Sequence, residues 1–141
     1  LVPFLLAFLL PGFDHRFGWS DIAPGIVLAA DALVLAGYVL VLVVFRHNRY
    51  ASRIVEVEAG QQVISTGPYA IVRHPMYLGV LPMYVLSPIA LGSWIAALFA
   101  LPIVWVLVER IREEEKLLVR DLAGYVEYQQ RTRYRLIPGL W

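Results

Sequence analysis

Cysteine is absent from this chain. That removes a disulfide scaffold, a thiolate metal site and a cysteine nucleophile together. No G-x-G occurs, so neither a dinucleotide fingerprint nor a phosphate loop is available. There is no G-x-S-x-G elbow to present a serine. The three histidines, His15, His47 and His74, lack the spacing of zinc ligands, so no metal is expected. Charge is sparse as well: Asp, Glu, Lys and Arg make up 16% of the chain and the net charge is +1. That balance gives no reason to expect nucleic acid as a partner. Internal repeats, low-complexity tracts and a separate soluble domain are also missing.

Apolar sequence fills the space. The chain is 60% hydrophobic with mean hydropathy +0.66, against about 45–50% apolar residues in soluble domains. The excess falls in blocks, which marks an integral membrane protein. Residues 1–10 are apolar but too short to span, and are read as the remainder of a helix that ends at Pro11-Gly12, with further spans upstream. They lack the basic flank and small-residue cleavage site of a signal peptide. Residues 11–21 read as a polar-aromatic loop, with Phe17 and Trp19 suited to a membrane interface.

Residues 22–45 carry one charge, Asp31, and are long enough to cross a bilayer. An ionisable group in mid-span is costly and often functional, but nothing in the pattern assigns Asp31 a role. A polar stretch and a Gly67-Pro68-Tyr69 turn follow. Residues 76–91 are apolar but hold Pro82 and Pro88, which predicts a kinked span. Leu91-Gly92-Ser93 predicts a tight turn, and residues 94–108 return across the membrane. The same helix is expected to continue in water to about Ala123, where Gly124 breaks it. A short helix is expected over 125–133.

Eleven of the twelve Lys and Arg lie in residues 46–73 and 110–135. The positive-inside rule puts both segments in the cytoplasm. The 76–108 hairpin agrees, because its two ends share a side.

Two polar clusters therefore meet at one membrane face. The first is Arg73-His74-Pro75-Met76-Tyr77. Pro75 biases His74 away from helix and suits a first helical position. The cationic and aromatic groups then cap a membrane helix at its anion-favouring end. Arg73 can pair a carboxylate bidentately, and His74 can exchange a proton near neutrality. Interfacial anchoring is the plainer explanation of any one member.

The second cluster is Glu113-Glu114-Glu115. Successive helical residues turn by about 100°, so the three cannot share a face. Glu113 suits a solvated ion pair, while Glu114 or Glu115 must face the mouth of the bundle. A carboxylate there could bind ribose hydroxyls or an ammonium group. Tyr125, Tyr128 and Thr132 share one face of the last helix, which either folds back as a lid or lies on the membrane.

With these motifs placed, the chain resembles the isoprenylcysteine carboxyl methyltransferase-like family of integral membrane methyltransferases, related to phospholipid N-methyltransferases. The residues that carry the resemblance are Gly67-Pro68-Tyr69 and Arg73-His74-Pro75-Met76-Tyr77-Leu78-Gly79. Glu114-Glu115, Gly124-Tyr125, Tyr128 and the ending Arg135-Leu136-Ile137-Pro138-Gly139-Leu140-Trp141 complete it. It covers residues 48–141 of what reads as a single domain over 1–141.

The resemblance implies an all-α polytopic transmembrane bundle with a cytosolic-face cofactor pocket closed by C-terminal helices. It implies S-adenosylmethionine as cofactor and a lipophilic, lipid or membrane-associated acceptor entering from the bilayer. The reaction would be carboxyl O-methylation or N-methylation, in a bacterial inner membrane with the site facing the cytoplasm. Carried over by position, Tyr69, Val72, His74, Tyr77, Glu114 and Glu115 would line the cofactor site. Arg73 and Glu115 would carry the catalytic step, with Arg73, Tyr125 and Tyr128 contacting substrate.

Methyl transfer from a sulfonium needs alignment and exclusion of water more than acid–base help. An amine acceptor would also need a base, and His74 or a Glu is available. Short, compact members of this kind look bacterial, where prenylated protein tails are generally absent, so the family name does not name the acceptor. Two rivals stand beside this reading. One is an NADPH-dependent membrane sterol or enone reductase, whose R-H-x-N-Y motif meets Met76 here at the asparagine position. The other is a non-enzymatic membrane protein that keeps the fold.

Overall fold

The computed structural model describes residues 2–48, 50, 57 and 59–141. Among the described residues, six helices and a 3-10 turn form, and no strand does. They are α1 (Val2–Phe17), α2 (Pro24–His47), the turn Gly67–Ala70, α3 (Pro75–Val85), α4 (Ser87–Ala90), α5 (Trp94–Asp121) and α6 (Tyr125–Arg131). Helices α2 and α5 are long and apolar enough to cross a membrane, with mean hydropathy 2.6 and 1.9. The shorter apolar run Pro75–Ala90 packs with them.

The packing is that of a membrane bundle. Small residues fill the helix interfaces: Ala7, Ala30, Ala96 and Ala100 are all buried. Large ones such as Leu28, Leu35, Leu98, Leu101 and Trp105 point outward. In water this arrangement would be unfavourable. In lipid, helices associate by close packing rather than by hiding leucine.

The closest approach is between α2 and α3. A Cβ added at Gly79 would lie 2.7 Å from the Gly37 carbonyl oxygen and 2.8 Å from Val41 Cγ2. One added at Gly37 would collide with the Gly79 carbonyl. Only glycine at both positions lets the two backbones touch. Helix α1 packs on α5, so the bundle is built as two pairs joined through α3 and α4.

The kink expected from Pro82 and Pro88 is present. Helix α3 ends at Val85, Leu86 caps it, and α4 starts at Ser87. The Ser87 hydroxyl donates to the Met83 carbonyl, which occupies an acceptor near the break. The turn before α5 also forms: Gly92 has φ +80° and the Ser93 hydroxyl accepts from Ala96 N at 3.0 Å, an N-cap. Gly124, with φ +83°, separates α5 from α6.

One expectation needs correction. The first helix does not end at Pro11-Gly12 but continues to Phe17, so most of the expected polar loop is helix. Proline removes a single backbone hydrogen bond there, and its ring is buried within the bundle. The helix stops at Gly18 instead, where φ is +65° and the amides of Gly18 and Trp19 both donate to the Asp14 carbonyl. Asp31 lies on the exposed surface of α2.

Candidate functional site

The site lies at the end of the bundle where α2 finishes, α3 begins and the charged half of α5 emerges. Asn48, at the C-cap of α2, donates from Nδ2 to the Tyr69 hydroxyl at 2.8 Å. The His47 ring packs on Gly67, whose φ of +58° and missing Cβ allow that approach. The turn over Gly67–Ala70 is thereby tied to α2 before the chain reaches Arg73.

Arg73 and His74 hold the C-terminal segment by backbone and side chain. Their amides donate to the carbonyls of Tyr134 and Arg135, both at 2.9 Å. Arg73 Nη1 donates to the carbonyls of Thr132 at 2.9 Å and Arg133 at 2.7 Å. Arg73 Nε donates to Glu115 Oε1 at 2.7 Å. His74 Nε2 lies 3.2 Å from the same oxygen, and Arg135 Nε donates to Glu115 Oε2 at 2.7 Å. Arg135 also sits over the Trp141 ring at 5.3 Å.

Glu115 is 5% exposed and is the hub of this network. It lies seven residues beyond the apolar part of α5, which ends at Val108, and so outside the spanning segment. Burial pushes its carboxyl up. The donors His74, Arg73 and Arg135 more than offset this and hold it at about 2. The buried charge is thus fully matched, as burial demands.

Glu114 faces a different neighbour. Its Oε2 accepts from the Tyr77 hydroxyl at 2.6 Å, and Arg110 Nε donates to the same phenol oxygen at 2.9 Å. Its Oε1 is 3.7 Å from His74 Nδ1. Glu113 points into solvent, where Lys116 pairs with it at 2.6 Å. Of the three carboxylates, Glu114 lines the cavity, Glu115 is buried behind it and Glu113 points away.

Helix α6 folds back over the turn. Tyr128 donates its hydroxyl to the Tyr69 carbonyl at 2.7 Å, and Thr132 is buried beside it. Leu122, Tyr125 and Tyr128 form an apolar cluster with Val63, Tyr69 and Leu118 around them. Between this cluster and α3 lies a cavity of about 90 Å³. Tyr69, Arg73, His74, Tyr77, Glu114, Tyr125 and Tyr128 line it, with Asn48, Tyr50, Met76, Gln61–Ile64, Leu117, Leu118 and Leu122. Burial pushes the phenols of Tyr69, Tyr125 and Tyr128 up, Tyr128 to about 12. All three are therefore neutral hydroxyls at physiological pH.

Of the residues singled out in the sequence, Val72 and Glu115 are not part of the cavity lining. Val72 is 2% exposed, and Glu115 stands behind the wall holding Arg73, His74 and Arg135. Sequence reasoning missed Asn48, Gln61 and Gln62 as lining residues and Arg135 as a partner of Glu115. Asn48 is one polar residue just past an apolar run, with no spacing to single it out. Arg135 belongs to the ending that carries the resemblance, but only its contact with Glu115 gives it a role. Among the described residues, no three carboxylates or imidazoles converge as a metal ion would require.

A helical membrane bundle with small residues at its interfaces and a polar, tyrosine-rich cavity at one end is the class of protein these features define. The chain belongs to the isoprenylcysteine carboxyl methyltransferase family, whose model matches residues 27–120. This makes it, in class, a membrane methyltransferase. The matched span covers most of α2, the turn, α3, α4 and nearly all of α5, and stops before α6. No match is found among curated proteins.

Proposed function

We propose that the protein transfers a methyl group from S-adenosylmethionine to a lipophilic or membrane-associated acceptor, at a cavity facing the cytoplasm. The observation that carries this reading is the lining of the cavity. Tyr69, His74, Tyr77 and Glu114, all inside the family-matched span, converge on one space with amide side chains beside them. Such a set suits a nucleoside that bears an amino-acid end. Glu114 accepts hydrogen bonds from ribose hydroxyls or an ammonium, and the tyrosines offer faces and hydroxyls. The buried Tyr125 hydroxyl, which has no partner among the described residues, is a further sign that a polar ligand completes the site.

The cofactor supplies an electrophilic methyl group when bound. The chain's own residues bind, orient and exclude water. Tyr128 and Thr132 fasten α6 over the turn and close one wall. Glu115 acts as a positioning residue in this reading, while Arg73 both holds the C-terminal segment and lines the cavity. The guanidinium fixes the C-terminal segment, and the carboxylate fixes the guanidinium and the His74 ring. The free cavity is smaller than the roughly 300–1,000 Å³ typical of ligand pockets, so binding moves a wall outward. The lipidated substrates on which this family acts are consistent with an acceptor that arrives from the bilayer, through the apolar surfaces of the bundle. The basic segments of residues 46–73 and 110–135 support a cytoplasmic orientation.

Calorimetric titration of the detergent-purified protein with S-adenosylhomocysteine, and in parallel with NADPH, tests the proposal. Saturable binding of the first alone is the expected result. Binding of NADPH alone would turn the reading to a reductase. Binding of neither by folded protein would leave a non-enzymatic member of the family.

A further inference from the structure

Tyr125 and Tyr128 stand one helical turn apart on α6, with ring centroids 5.7 Å apart, and both are buried. Their hydroxyls differ. Tyr128 donates to the Tyr69 carbonyl at 2.7 Å. The Tyr125 hydroxyl is buried, lines the cavity and has no hydrogen-bond partner among the described residues. A buried hydroxyl without a partner costs stability, and a phenylalanine would pack there without that penalty. A tyrosine at such a place makes sense when the partner arrives with a ligand.

The charges behind the hydroxyl indicate what kind of ligand group. Arg73 and Arg135 together face a single carboxylate, Glu115. Of these two guanidiniums, Arg73 is the one that also lines the cavity. Arg73 uses Nε and Nη1 on the protein and still lines the cavity. The cavity is polarised, with the Glu114 carboxylate on one wall and Arg73 on another, beside a phenolic donor that has no partner among the described residues. An amino-acid zwitterion matches that polarity, its ammonium toward Glu114 and its carboxylate toward Arg73 and Tyr125.

We infer that the Tyr125 hydroxyl receives the amino-acid carboxylate of the cofactor, while Tyr128 serves only to fasten α6. This rests on the S-adenosylmethionine reading above. It separates two residues that the sequence presents as a like pair.

The test compares Tyr125→Phe and Tyr128→Phe with the wild-type full chain in detergent. The measurements are the thermal midpoint without ligand and calorimetric affinity for two probes. S-adenosylhomocysteine has the carboxylate; 5′-methylthioadenosine lacks the amino-acid end. For Tyr125→Phe the expected results are an unchanged or raised midpoint, a loss of roughly tenfold or more in S-adenosylhomocysteine affinity, and unchanged methylthioadenosine affinity. Tyr128→Phe should lower the midpoint.

A lowered midpoint for Tyr125→Phe would overturn the inference, because its hydroxyl would then have a protein partner. Unchanged affinity for S-adenosylhomocysteine would overturn it too, as would equal loss for both probes, which would place the hydroxyl on the nucleoside. Failure of the wild type to bind either probe would instead sink the cofactor reading, and this inference with it.

Discussion

Asp14 at one end of the bundle and Glu115 at the other are both buried acids, 1% and 5% exposed. They lie far apart, since Ser93, which binds Asp14, and Glu115 are separated by roughly 33 Å of α5 at 1.5 Å per residue. Asp14 is surrounded by neutral donors. Ser20 N reaches Oδ1 at 2.7 Å, Ser20 Oγ reaches Oδ2 at 2.6 Å, and the Ser93 hydroxyl donates to Oδ2. Ser20 Oγ also accepts from Trp94 N at 3.1 Å. The result is a closed knot that ties the end of α1 to the start of α5, and the cavity next to it, lined by Trp94 and Ile95, is apolar.

Glu115 is surrounded by cations instead, and beside it lie a cavity and a hydroxyl without a partner among the described residues. Burial of an acid therefore does not identify a site. What distinguishes the two ends is an incomplete hydrogen-bond network, among the described residues, next to a polar cavity.

The comparison is broken most severely by Glu115→Ala. It leaves Arg73 and Arg135 facing each other without their carboxylate, and loss of one member of a buried ion pair costs about 3–5 kcal/mol. The expected outcome is a steep fall in the thermal midpoint, together with weakened S-adenosylhomocysteine binding. Undisturbed stability would show that the network does not hold the C-terminal segment.

Asp14→Ala should give a smaller fall in midpoint. The variant that still folds should bind S-adenosylhomocysteine as the wild type does, and a change in affinity would mean that the two ends are coupled.

The pH dependence is smaller still near neutrality. Glu115 is lowered from 4.5 to about 2 in the folded state. Its contribution to stability is therefore full above about pH 4.5 and is lost as pH falls toward 2. Denaturation midpoints measured from pH 7 down to pH 3 should show this decline, and Glu115→Gln should lack that component. Last, Glu113→Ala removes one exposed pair with Lys116 and should change stability by no more than about 0.5 kcal/mol, with cofactor affinity unchanged. A marked loss would show that the exposed carboxylate takes part in the site.

Much of this was legible in the sequence, residue by residue. Pro75 after His74 announced a helix start with polar groups at its mouth. The 100° step between successive glutamates already excluded a shared face, and assigned Glu113 to solvent. Gly92-Ser93 and Gly124 marked the ends of α5. The reading failed at Pro11, where punctuation that ends helices in water is tolerated inside a packed bundle. It was silent on Gly37 and Gly79, because a glycine in an apolar run looks the same whether it faces lipid or another backbone. It was silent on the Asp14 knot as well, since Ser93 is 79 residues away in the chain.

By itself the sequence determined the class: apolar blocks of spanning length, basic segments that belong on one side, and two polar motifs that a hairpin brings to the same face. These follow from local composition and from the geometry of the bilayer, which act on the chain without reference to its partners. Only the tertiary structure decided which carboxylate binds guanidinium and which faces the cavity, and which of two neighbouring tyrosines keeps an unused hydroxyl. Those outcomes depend on contacts of 2.6 to 3.2 Å between segments distant in the chain. Hydrogen bonding is short-ranged and directional, so no pattern along the sequence encodes it.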